Sequence, residues 1–515
     1  MGKYFMGIDI GTSESKGVLI NDSFQVVVTA STPHETDNPK QGYFEHDAEE
    51  VWWKDFCILS RALVEKAGIK PEEVACVGPS TLGTCCVPVD RNNRPLRKAI
   101  LYGVDNRGLE MVPAVEEYFG AEKAKAVLGG AFRSDSVALK ILWIRRNEPE
   151  VFEKTHKFLS GTGFLVAKLT GEYKMDRAIL VGSFRPMYTE DGKVIPEMCE
   201  PFCLPEQLPE SEMVANVAGY ITEKAAEETG LAAGTPVTTG TGDSTAESIG
   251  GGLVIPGKCL FQFGSTLFFF YAIDHMVRDG DVSTGRFTVP GLYSIGGGTN
   301  AAGALTKYIR DKFYWDAVEA ENAGGPNAYA VMAEEAGRIP AGSEGLVMLP
   351  YILGERSPIY DSRAKGMLIG LTDKHTRHHI NRAALEAVAY TVRQHVEKWA
   401  AAGAPLKSIK AAGGGTKNRV WMQMTADVTG LPVELSADYQ TASYGDAMMA
   451  AIGEGTFAGF EEMAAAMPKN TVIEPDMEKH KLYDELYHIY DELYQANKGF
   501  MHRIDAFQNR TDKED

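Results

Sequence analysis

One device appears twice in this 515-residue chain. Near the start, "FMGIDIGTSESKGVLI" runs apolar from Phe5 to Ile10, breaks at a small polar turn, and runs apolar again from Val18 to Ile20. Half the chain later, "GKCLFQFGSTLFFF" does the same around Gly264, Ser265 and Thr266. Apolar runs flanking a glycine-bearing turn predict a β-hairpin in each place. A device repeated at this spacing predicts two related halves, since a chain this long exceeds a single core. The boundary is expected near residues 250–257, giving a first domain of 1–252 and a second of 253–515.

Between the hairpins, strand-like and helix-like segments alternate, which predicts an α/β fold. Residues 48–66 read as a helix with Trp52, Phe56, Leu59 and Leu63 on one face, followed by a strand at 74–78. Further helices are expected at 139–146 and 383–399. A terminal helix at 479–507 should dock through Leu482, Leu486, Ile489 and Leu493, then fray through "NRTDKED".

The formal net charge of -18 would repel a nucleic-acid backbone, so no nucleic-acid partner is expected. No apolar run reaches the ~18 residues of a membrane span and no signal peptide is read before the first strand, so a cytoplasmic protein is expected. The seven cysteines form no CxxC pair. Vicinal Cys85 and Cys86, or Cys199 and Cys203, could make a redox or metal site, but buried, inert thiols are the stronger expectation.

Three segments carry chemistry. A plain hairpin needs only the glycine, yet the first turn adds an aspartate, hydroxyls and a lysine. Gly11, Thr12, Ser13 and Ser15 offer backbone amides and hydroxyls for phosphate, Lys16 adds positive charge, and Asp9 is placed to hold Mg²⁺ through water. A turn whose aspartate and threonine merely satisfy nearby amides would account for one copy. The second copy, at residues 264–266, favours two turns that together hold a triphosphate. In "TGTGDSTAES", Asp243 follows a strand and precedes a small helix. It reads either as a helix cap or as the carboxylate that takes the proton of an acceptor hydroxyl, and Gly240 and Gly242 are expected to clear space for a ligand. In "AAGGGTKNRVWMQM", residues 413–415 end a strand and a helix begins near Asn418, which suits close approach of backbone to a flat ring.

These segments resemble the FGGY carbohydrate kinases, a branch of the actin, heat-shock ATPase and hexokinase superfold. "GIDIGTSESKGVLI" and "FQFGSTLFF" resemble the family's two phosphate motifs, and "GTGDSTAESIGGG" its catalytic-base segment. "AAGALTKYIRD" resembles the stretch lining phosphates and ribose, "GGGTKNRVWMQMTADVTGLPVE" the adenosine motif, and "LPYILGERSPIYDSRAKGMLIGLTDKH" the most specific signature. The resemblance implies two ribonuclease-H-like domains around a nucleotide and sugar cleft, with ATP and Mg²⁺ as cofactors. It makes Asp243 the general base and a metal-site residue with Asp9. Gly11, Thr12, Ser13, Lys16, Gly264, Ser265, Thr266, Gly303, Lys307, Gly414, Gly415 and Asn418 then surround the nucleotide. Thr81, Leu82, Tyr102, Asp105, Asp243 and Ser244 are expected at the acceptor.

The nearest branch is that of the xylulokinases, so a ketopentose such as xylulose is the expected acceptor and a homodimer the expected assembly. The acceptor loop departs from that branch: Leu82, Gly83 and Thr84 stand where it carries Gln-Met-His, and Tyr102 stands for its tryptophan. Ribulose, glycerol or an erythritol-like polyol are alternatives. A protein-binding nucleotide switch of the actin or heat-shock kind is the competing class.

Overall fold

The computed structural model describes residues 2–130, 132–280, 282–437 and 441–511. Contacts divide the chain into two units: Met1–Val254 with Phe287–Pro290 and Tyr439–Pro468, and Ile255–Arg286 with Gly291–Asp438 and Lys469–Asp515. The change at Val254 lies beside the expected boundary. The stretch Tyr439–Pro468, expected in the second domain, packs with the first unit instead, because its helix Ala442–Glu454 covers that unit's sheet.

The sheet of the first unit holds β1 (Tyr4–Ile10), β2 (Glu14–Asn21), β3 (Val26–Pro33), β4 (Val74–Thr81), β5 (Val217–Tyr220), β6 (Pro236–Thr238) and β7 (Thr241–Gly242). Its spatial order is β5-β6-β4-β1-β2-β3, with β7 beside β4. β1 and β2 form the expected hairpin, while β1 runs parallel to β4. Four of the seven β1 residues, Phe5, Met6, Ile8 and Ile10, carry apolar side chains that are buried, so both faces of this strand are covered. The helix Lys54–Ala67 covers one face through Phe56, Leu59 and Leu63, as its periodicity predicts. Its first turn is preceded by a π-helical turn, Ala48–Trp53, capped by Asp47.

The sheet of the second unit repeats the pattern with β8 (Cys259–Phe263), β9 (Leu267–Ile273), β10 (Gly285–Arg286), β11 (Tyr293–Thr299), β12 (Ile409–Ala412), β13 (Val433–Leu435) and β14 (Thr471–Ile473). The order is β10-β11-β9-β8-β12-β13-β14. Again a hairpin, β8-β9, continues antiparallel into a third strand, and its first strand pairs parallel with a later one, β12. The helix Arg377–Ala401 meets this sheet through Trp399, which packs on Phe261 and Phe269, and is buried along most of its length.

The terminal helix, Met477–Thr511, docks on only part of the expected face: Leu486 and Leu493 pack against the core, but the face is centred on tyrosines. Tyr483, Tyr487, Tyr490 and Tyr494 are buried, whereas Leu482 and Ile489 are exposed. The tyrosines win that face because they bring hydroxyls to buried acceptors: Tyr483 donates to Glu386 and Tyr494 to Asp361. The helix continues past the expected fraying point as far as Thr511, and the rest of "NRTDKED" lies outside the described residues. Six of the seven cysteines are buried and none is bridged, and burial pushes Cys85 and Cys86 up to about 12. Among the described residues no helix is long and apolar enough to cross a membrane.

The helix Ala442–Glu454 lies unusually close to the sheet. A Cβ on Gly7 of β1 would stand 1.8 Å from the Ser443 carbonyl oxygen, and one on Gly78 of β4 would stand 2.2 Å from that of Asp446. Both obstacles are backbone, so neither can swing aside. Gly78→Ala should therefore destabilise the protein by about 3 kcal/mol, the upper end of overpacking costs. Denaturant unfolding measures it; a loss under about 1 kcal/mol would show that the helix can lift off the sheet without penalty.

Candidate active site

β1 delivers Asp9 one residue before its end, so the carboxylate sits at the strand terminus beside the turn. Gly11 and Thr12 are half-buried there and Ser13 is exposed. The Gly11 N–H donates to the Glu14 carbonyl oxygen at 3.1 Å, and a Cβ at position 11 would stand 2.7 Å from the same oxygen. Lys16 lies opposite Asp9 in the strand register and pairs with Glu14, its ammonium 3.2 Å from the carboxylate.

Beneath Asp9 is a residue the sequence reading missed. Ser80 Oγ of β4 lies 2.9 Å from Asp9 Oδ1 and 2.5 Å from Asp446 Oδ2. A serine has one hydroxyl hydrogen, so it can donate to only one of two carboxylates. Both contacts are hydrogen bonds only if one carboxyl carries a proton. Asp446 is the acid: it is fully buried, and burial, with the nearby Asp9 charge, raises it well above the usual carboxylate range. Its Oδ1 is buried with no partner, which a neutral carboxyl tolerates far better than a carboxylate. The signal in the sequence was a lone acidic residue inside the apolar helical run "ASYGDAMMAAI".

Asp243 is the first residue of the helix Asp243–Gly250, and Gly242, in extended conformation, is the N-cap. The capping alternative is thus not the arrangement found. Asp243 Oδ1 accepts from its neighbour Ser244 N at 2.7 Å and from Gly83 N at 3.3 Å. Burial raises its pKa, and these two N–H groups oppose the rise. Burial, and next the Asp243 charge, push Asp9 up to about 7. A carboxylate whose ionisation a neighbouring carboxylate suppresses is a setting a divalent cation relieves, and an oxygen-only donor set suits magnesium. Among the described residues no three His, Cys, Asp or Glu side chains gather to hold a metal alone. That fits an ion that takes one or two carboxylates and fills its shell with water and phosphate oxygens.

The two glycines before Asp243 differ in role. Gly240 has φ of 65° and a Cβ there would stand 1.9 Å from the Pro79 carbonyl oxygen, so it serves the backbone crossing and clears no ligand space. At Gly242 the nearest atom to a Cβ is 3.9 Å away, which is open enough for the expected role.

Three of the residues expected at the acceptor point elsewhere. Leu82 is fully buried in the hydrophobic core. Thr81 is buried too, and its hydroxyl meets that of Thr162 at 3.0 Å. Asp105 has no exposure; both its oxygens are taken by Arg107, and the Phe44 N–H adds a bond at 2.7 Å. It is a structural anchor for the loop. Tyr102 stays half-buried, its hydroxyl 3.1 Å from Thr12 Oγ1, and Lys140 donates to its carbonyl at 3.0 Å. Ser244 is exposed. The structure thus brings Asp243, Gly83, Tyr102 and Thr12 into one linked set.

In the second unit, Gly264, Ser265 and Thr266 form an exposed turn. The helix Gly303–Phe313 starts directly on it: Gly303 N donates to Gly264 O at 2.9 Å and Ala304 N to Ser265 O at 2.8 Å. Lys307, expected at the nucleotide, turns its ammonium to Asp311. The signature segment explains how this helix start is held. Buried Glu355 accepts from Asn300 N and Arg356 N through Oε1, and Ser357 Oγ accepts from Gly298 N. At the end of β12, Gly413 and Gly415 pass so close to Phe263 that a Cβ on either would lie within 2.9 Å of it. Gly414 is open on its outer side, and Asn418 caps the helix Arg419–Thr429 by accepting from Trp421 N at 3.0 Å.

Family models for the FGGY family of carbohydrate kinases match the chain twice, the N-terminal domain over residues 4–250 and the C-terminal domain over 259–454. Xylulose kinase of Bacillus subtilis is 27% identical over 501 residues, spanning 94% of this chain and 96% of its own. Glycerol kinase of Thermococcus gammatolerans is also 27% identical over 501 residues, with the same shares of 94% and 96%. Among solved structures, xylulose kinase from Rhodospirillum rubrum superimposes with a TM-score of 0.84 at 31% identity, covering 97% of this chain and 100% of that one.

The shared hydrogen at Ser80 makes a prediction for stability. Between the unfolded carboxylate value of about 4 and its raised folded value, Asp446 is protonated when folded and ionised when unfolded. The unfolded chain then binds fewer protons, so this group's contribution falls as pH rises. Asparagine keeps the shape and an N–H donor toward Ser80 without that penalty. Asp446→Asn should melt above the parent at pH 7.5, with the gap closing toward pH 4. A variant that melts below the parent at pH 7.5 contradicts a protonated Asp446.

Proposed function

The chain belongs to the FGGY family of carbohydrate kinases, and from that premise we propose that it moves the γ-phosphoryl group of ATP to a hydroxyl of a ketopentose such as xylulose, with Asp243 as the base. The observation that carries the base assignment is the anchoring of Asp243. Both of its N–H contacts fall on Oδ1, which fixes the carboxylate and, in this reading, leaves Oδ2 to take the acceptor's proton. Burial makes it a better proton acceptor than an exposed aspartate.

In this reading the acceptor hydroxyl attacks the γ-phosphorus, Asp243 takes its proton, and the bond to the β–γ bridging oxygen breaks to release ADP. Asp9 and Asp243 are the residues that would hold magnesium, whose charge offsets that of the phosphates. The turn 11–13 supplies donors for the phosphates, while Ser15 is buried and spends its hydroxyl hydrogen on Asp55. In the second unit the turn 264–266, Gly303, Gly414 and Gly415 serve the nucleotide, while Asn418 shapes that wall through its cap. Magnesium, a cytosolic setting and a homodimer are parts of the proposal.

The ketopentose is supported by the xylulose kinases among the relatives, and the glycerol kinase at equal identity makes a polyol the second reading. A coupled ADP assay over xylulose, ribulose, erythritol, glycerol and gluconate tests the choice. Xylulose or ribulose should give the highest kcat/KM; a higher value for glycerol or erythritol would overturn the ketopentose.

Asp243→Asn keeps size and hydrogen-bonding shape, so fold and ATP affinity should survive while kcat falls by ~10²–10⁴, the usual contribution of a positioned base. Near-parental turnover in a folded variant would remove the base assignment. Gly83 offers an independent check. A Cβ there would stand 2.6 Å from Tyr102 Cβ, so Gly83→Ala must move either Tyr102 or the N–H that reaches Asp243. The expected result is a fall in kcat of roughly tenfold, equivalent to about 1.4 kcal/mol, with KM for ATP unchanged. An unchanged kcat would show that this loop does not touch the reacting groups.

A further inference from the structure

Three consecutive carbonyls of the first turn are held from one side by a short segment that follows β3. His34 Nε2 lies 3.1 Å from the Gly11 carbonyl oxygen. Thr36 Oγ1 donates to that of Thr12 at 2.8 Å. The His34 backbone N–H donates to that of Ser13 at 3.0 Å. In a trans peptide the C=O of one residue and the N–H of the next point in opposite directions. Fixing the carbonyls of residues 11, 12 and 13 on one side therefore aims the N–H groups of Thr12, Ser13 and Glu14 to the other.

The holding segment is itself fixed from behind. His34 Nδ1 meets Asp55 Oδ2 at 2.8 Å, and Ser15 Oγ donates to the same oxygen at 2.6 Å. Thr36 gives its hydrogen to Thr12, so the close His46 Nε2, at 2.9 Å, must be the donor to Thr36. His46 Nδ1 then accepts from Trp52 Nε1 at 3.0 Å. The His34 ring faces two acceptors, a carboxylate and a carbonyl, and satisfies both only with a hydrogen on each nitrogen. His46 faces one acceptor and one donor, and satisfies both only as a neutral ring. The charged and titratable groups around His34 agree. Burial disfavours its cation, but Asp55 and the Gly11 carbonyl outweigh burial and raise it. Burial and the adjacent His34 push His46 down to about 4. Glu14, the remaining charged neighbour, is lowered mainly by Ser31, with His34 adding to the effect.

We propose that His34 and Thr36 are positioning residues for phosphate: they clamp the carbonyl side of the turn so that its amides stand as a preformed anion cradle. The proposal rests on the reading of this turn as a phosphate site. Neither residue touches the nucleotide, so the effect should appear in phosphate recognition and leave recognition of the base alone.

Calorimetric binding of MgATP and of adenosine to the full-length protein separates the possibilities. His34→Ala and Thr36→Val should each weaken MgATP at least tenfold and leave adenosine within twofold. His34→Gln, which keeps one donor for Gly11, should recover part of the loss. Gly11→Val serves as the reference for the site. If Gly11→Val abolishes MgATP binding while folded His34→Ala and Thr36→Val bind as the parent does, the clamp is wrong and the phosphate site stands. If none of the three changes MgATP binding, the phosphate reading of the turn falls and the clamp with it. Equal losses for MgATP and adenosine would make the segment merely structural and overturn the proposal. Ring ¹⁵N shifts of the unmutated protein at pH 7 give a test that needs no variant. Imidazolium shifts at both His34 nitrogens are expected, and an unprotonated Nε2 would overturn the clamp.

Discussion

The close seat of one helix on one sheet is what the first unit's chemistry depends on. With no side chain at Gly7 or Gly78, the helix Ala442–Glu454 lies against β1 and β4 at backbone distance. That brings Asp446 under the ends of both strands, where Ser80 links it to Asp9. A larger residue at either glycine would raise the helix, open a gap beneath Asp9, and admit water to a place now filled by a carboxyl. The packing rule and the electrostatic arrangement are one constraint seen at two scales.

That arrangement runs against simple charge counting. A chain of net charge -18 places three aspartates close enough that Asp243 adds to the rise at Asp9, and Asp9 and Asp243 add to the rise at Asp446. Burial without compensation would be costly for all three. The structure divides the load by giving one carboxyl a proton and leaving the other two at strand and helix ends, where the Ser80 hydroxyl meets Asp9 and two N–H groups meet Asp243. The histidines under the turn follow the same logic with opposite sign. His34 is held charged by Asp55 and His46 neutral by burial, so each donor finds an acceptor.

Legibility tracked how local each feature is. Both hairpins, the helix Lys54–Ala67 and the glycine turns are fixed by residues near in sequence, and they stand where the pattern puts them. The face of the terminal helix was read only in part, at Leu486 and Leu493, because leucine spacing and tyrosine spacing coexist on it; only the buried acceptors Glu386 and Asp361 decide between them. Asp446, His34 and Asp55 were invisible for a related reason. Each matters through a partner far away along the chain, and a lone buried acid or histidine leaves no spacing to detect. Asp105 illustrates the reverse error: its position in the loop suggested contact with an acceptor, while its carboxylate is fully engaged by Arg107 and backbone.

The same distinction separates the glycine turns from the acceptor loop. Close packing of backbone demands glycine at fixed places, as at Gly11 against Glu14, Gly303 against Gly264 and Gly415 against Phe263. Glycine requirements survive in a sequence as visible marks. Acceptor choice is set by which side chains line a small space, and that depends on neighbours the loop itself does not encode. Gly83 makes the point. Grafting the bulkier xylulokinase-like residue there collides with Tyr102, because its Cβ would already lie 2.6 Å from the tyrosine's own. Tyr102 in turn is held by Lys140 at its carbonyl and by Thr12 at its hydroxyl. Positions 83 and 102 therefore form a matched pair, and a side chain at 83 requires a change at 102 as well.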